Sequence, residues 1–214
     1  MNVSDSEALR ESLFRTLTYD VMEAISRLES DGTQSNRRNL VRTMFAAIEG
    51  YVWEYRRYVR SLAQDIDTIS PLMELALSEI TYSVGENGNI EQHVRYISLT
   101  AMIRLVTKLA QKISPKLKAD FGSGGWLQLK KAIAVRNRVT HPKSMADLHI
   151  SSDEIEFSKQ GYFWILELIV TVMEATLRSA QVYNLDLRAL VEQLASGDPQ
   201  ALEDYRATHK NMLD

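Results

Sequence analysis

The run Arg136-Asn137-Arg138-Val139-Thr140-His141-Pro142 holds the side chains of this sequence best suited to chemistry. A guanidinium, an amide and an imidazole fall within six positions. Arginine is a permanently charged planar donor matched to phosphate oxygens, and histidine exchanges protons near neutral pH. These types at this spacing point to phosphodiester chemistry. On an unbroken helix, five steps of about 100° would set Arg136 and His141 roughly 140° apart. Pro142 changes that expectation, because the residue before a proline is pushed out of the helical region. The helix carrying Arg136 is therefore predicted to end near Thr140, with His141 just past the end and free to swing towards the arginine. The same spacing allows a plainer arrangement, in which Arg136 pairs with an acidic neighbour and His141 caps the last carbonyls.

The net charge of −3 hides a strong asymmetry. Residues 1–94 carry 9 basic and 15 acidic side chains, residues 95–146 carry 11 and 1, and residues 147–214 carry 5 and 12. The basic middle segment contains the Arg/His run. Such a segment favours an anionic partner and says nothing about fold; packing of the basic segment beside the acidic flanks would give the same numbers. The absence of cysteine excludes disulfides, thiolate metal sites and a cysteine nucleophile, and it fits a reducing compartment. Charges scattered through the first thirty residues leave no apolar run of the signal-peptide kind, and no later stretch is long and apolar enough to span a bilayer. A soluble cytoplasmic protein is expected.

With 214 residues, 45% of them apolar, the chain can bury a sizeable core. Nine glycines, four prolines and apolar residues recurring every three or four positions predict an all-α bundle of long antiparallel helices without strands. A first helix opens at the capping-box pair Ser4 and Glu7 and reaches about Glu29. The second carries Leu40, Met44, Ile48, Tyr51, Tyr55, Val59, Leu62 and Ile66 as one stripe. Its periodicity assigns Tyr51 and Tyr55 to packing rather than to base stacking. Ser70 and Pro71 start a third helix, which should stop before Gly85. A fourth, over residues 90–114, sets Ile97, Ala101, Leu105, Leu109 and Ile113 on one side and Arg104, Lys108 and Lys112 on another. Like charges at that spacing repel by a few tenths of a kcal/mol per pair unless an anion or solvent lies against them.

Gly122-Ser123-Gly124-Gly125 is read as a hinge or close-packing turn, since the Gly-Lys-Ser/Thr ending of a P-loop is missing. The next helix starts near Trp126 and carries Lys130, Lys131 and Arg136. Ser151 and Glu154 then form a second capping box, followed by Phe157, Phe163, Leu166, Ile169, Val170, Met173 and Leu177 as predicted core. Residues 1–182 form one domain, with its core over 35–182. Residues 183–214 make an appendage with a peripheral helix opening at Asp198-Pro199. His93, His149 and His209 are too scattered for a metal site, and no strand and elbow present an activated serine.

Taken together, the Arg-Asn-x-x-x-His run before proline, the preceding helix with Trp126, Lys130 and Lys131, and the earlier Phe45-Ala46-Ala47-Ile48-Glu49-Gly50 resemble the HEPN superfamily over residues 35–182. The resemblance implies an all-helical bundle and, in active members, a metal-independent endoribonuclease without cofactor. It also implies a homodimer whose two motifs face one cleft, and a toxin–antitoxin or phage-defence setting with a cognate antitoxin or regulatory protein. On this sequence, His141 is then expected to transfer protons, Arg136 to bind the phosphate and stabilise the transition state, and Asn137 to orient one of them. Arg138, Lys130, Lys131, Arg104, Lys108 and Lys112 would hold the RNA backbone. Other members are inactive, so a helical interaction module that binds a protein or nucleotide is the alternative expectation.

Overall fold

The apolar stripe of the second helix becomes the axis of the fold. In a computed structural model of the chain, which describes residues 3–210 and the side chains of residues 13–207, α2 spans Gln34–Asp65. Its Leu40, Met44, Ile48, Tyr51, Tyr55 and Val59 are at most 1% exposed. Full burial of each aliphatic side chain among them is worth about 1.5–3 kcal/mol relative to exposure. The Thr33 hydroxyl caps the helix by accepting from the Asn36 amide. A short turn sends α1 (Val3–Ser30) back along it, and the Thr18 and Tyr51 hydroxyls meet at 2.7 Å. The side chains of the Ser4 and Glu7 pair lie outside the described residues.

α3 (Pro71–Ser78) begins as its Ser70 cap and Pro71 require, but it ends early, at Glu79 in the left-handed region. Beyond it the strandless expectation fails. β1 (Ile80–Val84) and β2 (Ile90–Val94) form an antiparallel hairpin around a turn containing Gly85 and Gly88. α4 consequently spans Leu99–Ile113 rather than starting near residue 90, which leaves Ile97 in the connection. Its buried face is Met102, Ile103, Val106, Leu109, Ala110 and Ile113, so the expected face was rotated by most of one residue.

α5 (Gly124–Thr140) and α6 (Ser152–Ala195) pack antiparallel, joined by a 3-10 turn at Met145–Leu148. Two glycines set how closely they approach. A Cβ on Gly161 would stand 2.7 Å from Leu129 Cα, and one on Gly125 would strike the Trp164 ring. Gly124 and Gly125 are thus helical, the second half of the predicted close-packing turn being the first turn of α5. In contrast, α2 and α6 run parallel, with Gln34 bonded to Ile150, Tyr51 to Tyr162 and Tyr58 to Met173 in sequence.

Tyr162, Ile165, Ile169 and Val172 of α6 enter the core, whereas Phe163, Val170 and Leu177 stand about half exposed. The seven-residue spacing of those three marks a second, solvent-facing stripe, which the core expectation had merged with the first. α6 also continues through residue 182 without a break. Its row of buried residues nevertheless ends at Ala180, and α7 (Pro199–Lys210) follows, capped by Asp198 Oδ1 on the Ala201 amide. Among the described residues there are seven α-helices and one two-stranded sheet, and no helix is long and apolar enough to cross a membrane.

Candidate functional site

α5 ends at Thr140, and His141 is its C-cap, with φ −125° and ψ 61° and its amide donating to Asn137 O at 3.0 Å. The proline constraint therefore acts as the spacing predicted. Up to that point α5 sorts its residues by face. Ala132, Val135 and Val139 are buried, while Leu127, Lys130, Ala134 and Asn137 lie exposed at three- and four-residue steps, and the exposed row runs on to His141. Lys130, Asn137 and His141 thus share one solvent-facing stripe.

Arg136 borders that stripe but turns towards α2. Its guanidinium forms an ion pair with Glu49, lies 5.7 Å from the centre of the Phe45 ring and donates to Asn137 Oδ1 at 3.1 Å. The acidic neighbour of the plainer reading is therefore present. Glu49 side-chain exposure is 48%. An ion pair this open to water is worth about 0–1 kcal/mol, a cost that an incoming phosphate can meet. No hydrogen bond or ion pair joins Arg136 to His141, so the expected swing of the ring towards the arginine is not made, and the His141 ring makes neither among the described residues.

The backbone beneath the ring is held firmly. Arg42 donates to Val139 O at 3.2 Å, Arg38 to Leu148 O at 3.1 Å, and Arg37 and Gln34 to Ile150 O. Between these clamps, Asp147 accepts from the Lys143 and Ser144 amides, both at 2.8 Å. The Lys143 amide foremost, then the Ser144 hydroxyl, holds the Asp147 carboxyl below its ordinary pKa. Cations from the start of α2 thus fix the segment on either side of His141.

No protein family, no curated protein and no solved structure matches this chain.

Several sequence-predicted cations have structural partners. Arg138 pairs with Glu154 at 2.7 Å, joining the end of α5 to the capping box of α6. Lys131 sits 5.9 Å from the centre of the Phe157 ring, and Arg104 stacks 5.1 and 5.2 Å from the rings of Phe121 and Trp126. Trp126 precedes Arg136 by ten residues on α5, so Arg104 stands roughly 15 Å from the motif along the helix. Lys108, Lys112 and Lys130 are exposed and make no ion pair among the described residues. The motif thus holds Lys130 near it, Arg138 and Lys131 turned towards α6, and the α4 row at a distance.

Phe45 and Glu49, which border the guanidinium, belong to the Phe45–Gly50 run that carries the resemblance, but nothing in that run placed them beside Arg136. Neither of two sizeable cavities contains the motif. One, about 1100 Å³, opens between α1, α2 and α6, lined by Phe14, Met22, Tyr51, Tyr58 and Met173 among others. The other, about 560 Å³, lies between α3 and the hairpin. Among the described residues, no three His, Asp or Glu side chains are grouped so as to hold a metal ion.

Proposed function

We propose that this chain is a metal-independent endoribonuclease that leaves 2′,3′-cyclic phosphate ends. One observation carries the reading: a partner-free His141 ring closes a solvent-facing row with Lys130 and Asn137, and the Arg136 guanidinium is tethered beside Asn137 at its edge. In the reaction, the ribose 2′-hydroxyl attacks phosphorus and loses its proton to a base. The 5′-oxygen leaves with a proton from an acid, and the guanidinium neutralises the charge that builds on the phosphoryl oxygens. His141 moves a proton, Arg136 exchanges Glu49 for phosphate, and Lys130 holds the RNA backbone with Lys108 and Lys112 further along. A single imidazole does not serve as acid and base in one step. A second copy supplying its own motif across a shared cleft completes the pair, and such a homodimer suits a toxin held in check by a cognate antitoxin in bacterial defence.

The test is RNA cleavage in excess chelator by the parent, Arg136→Ala and His141→Ala proteins, each checked for helicity. Cleavage by the parent, with cyclic phosphate product and a loss of about 10²–10⁴-fold on removing the imidazole, is expected. A folded His141→Ala protein that cleaves as fast as the parent refutes the assignment.

A helical interaction module is the second reading, favoured by the Glu49 pairing of Arg136 and by the placement of both cavities away from the motif. Silence of all three proteins at high concentration, with no growth defect on expression that His141→Ala relieves, selects it.

A further inference from the structure

The hairpin presents an apolar face to water. In the ladder, Ile80 stands opposite Val94, Tyr82 opposite Gln92 and Val84 opposite Ile90, and directly paired residues share a face of an antiparallel sheet. That face is therefore Ile80, Tyr82, Val84, Ile90 and Val94 around a single Gln92, while Thr81, Ser83, Glu91 and His93 occupy the other. Tyr82 is 51% exposed, Val84 and Ile90 72% each, and Val94 64%. A two-stranded hairpin is at best marginally stable by itself in water, and these two strands have no third strand beside them among the described residues. Such a surface calls for a cover.

Its two ends are complementary. The tip carries the aliphatic pair Val84 and Ile90 with the exposed acid Glu86 in the turn. At the base, the cavity of about 560 Å³ is lined by Leu75, Ala76, Ile80, Tyr82 and Ile97 with Thr81, and by two charged side chains: Glu79, whose carboxylate is already paired with Arg56 at 2.7 Å and accepts from the Ile97 amide, and Arg95. Arg95 is exposed and makes no ion pair among the described residues. An aliphatic knob beside a carboxylate at one end matches, at the other, a partly apolar hollow whose acid is neutralised by Arg56 and whose guanidinium is unpaired among the described residues. A two-fold axis through the middle of the ladder, at Tyr82 and Gln92, lays tip on base twice over and covers both apolar faces. We infer that two copies of this chain associate through their hairpins, face to face and head to tail, with the tip of each seated in the basal cavity of the other. Although Tyr82 and Tyr96 are exposed here, two acids against one base over residues 80–97 favour a protein surface over RNA, which asks for net positive charge beside its aromatic faces.

This contact does not rest on the nuclease reading and uses none of its residues. Because the chain has no cysteine, it can be tested by directed disulfides. Glu86 and Arg95 of one copy are about 17 Å apart along the ladder, well beyond disulfide reach. The full chain is prepared as Glu86→Cys and as Arg95→Cys, each also carrying His141→Ala to keep the result independent of activity. The proteins are then incubated with oxidised glutathione, separately and mixed. The mixture is expected to give a covalent dimer at least tenfold faster than either variant alone. Adding the exposed-site change Ile90→Lys, with helicity unchanged, should abolish that advantage, and added RNA should leave it intact. Equal rates for the mixture and the separate variants, no crosslink at concentrations where light scattering reports a dimer, monomers at all concentrations, or protection by RNA would each overturn the inference.

Discussion

Replacing Gly161 by alanine tests the close approach that sets α5, and with it the motif, against α6. The added Cβ would lie 2.7 Å from Leu129 Cα and 2.9 Å from Leu129 N, both main-chain atoms that no rotamer change can move aside. Comfortable carbon contacts begin near 3.5 Å, so α5 must shift by about 1 Å or the helices must bend. Overpacking of this kind costs about 1–3 kcal/mol, and exchanging a helical glycine for alanine returns up to about 1 kcal/mol. Because the clash is with main-chain atoms, the upper part of that cost, about 2–3 kcal/mol, applies, and the net loss of about 1–2 kcal/mol corresponds to a fall in Tm of roughly 2–8 °C for a chain of this size. Gly124→Ala, whose added Cβ meets nothing within 4 Å, serves as the control and should stay within about 0.5 kcal/mol of the parent. Paired thermal and urea unfolding curves read the difference. A Gly161→Ala protein as stable as the parent would refute the helix-contact reasoning.

Two further expectations concern the core and the segment after the motif. Thr107 donates to Ile103 O at 2.8 Å and stands 3.1 Å from the Tyr55 hydroxyl, so Thr107→Val strips a buried phenol of its partner whereas Tyr55→Phe leaves the threonine satisfied. Urea denaturation should show the valine change costing about 1–3 kcal/mol and the phenylalanine change about 0.5–1.5 kcal/mol, with the reverse order counting against the assignment. Because the folded state depresses the Asp147 pKa, its stabilising contribution is present above the ordinary carboxylate value and disappears as pH falls through the folded one. The Lys143 and Ser144 amide resonances should move together on acidification and stop doing so in Asp147→Asn; resonances that stay flat in the parent would contradict it.

Periodicity carried the reading of the long elements and faltered where periods were short or doubled. Six residues of the α2 stripe are core, and Ser70-Pro71, Ser151 with Glu154, and Pro142 mark helix ends, because each acts through local backbone chemistry. The hairpin was legible in principle: Ile80, Tyr82 and Val84 alternate with Thr81 and Ser83, and glycines follow. Five residues of alternation were outweighed by helical spacing on both sides. In α6, apolar residues at 163, 170 and 177 share a helical period with the core residues beside them, so pattern alone could not say which row faces inward. The setting of Arg136 was beyond any local signal. Phe45 and Glu49 reach it only through the tertiary packing of α2 on α5, which also determines that Arg138 meets Glu154.

The unbroken course of α6 separates two regions of the molecule. From Ser152, beside the Arg136 end of the bundle, to Ala195, the helix covers roughly 65 Å, and its last fifteen residues leave the body as a strut of about 22 Å. That strut bears Tyr183, Leu187 and Leu190 in the open, with α7 at its far end. Ile155 to Ala180 hold the first part of α6 in the core, so a partner bound to the strut or to α7 would sit roughly 40 Å along the helix from the Ser151 cap and would leave the His141 segment open.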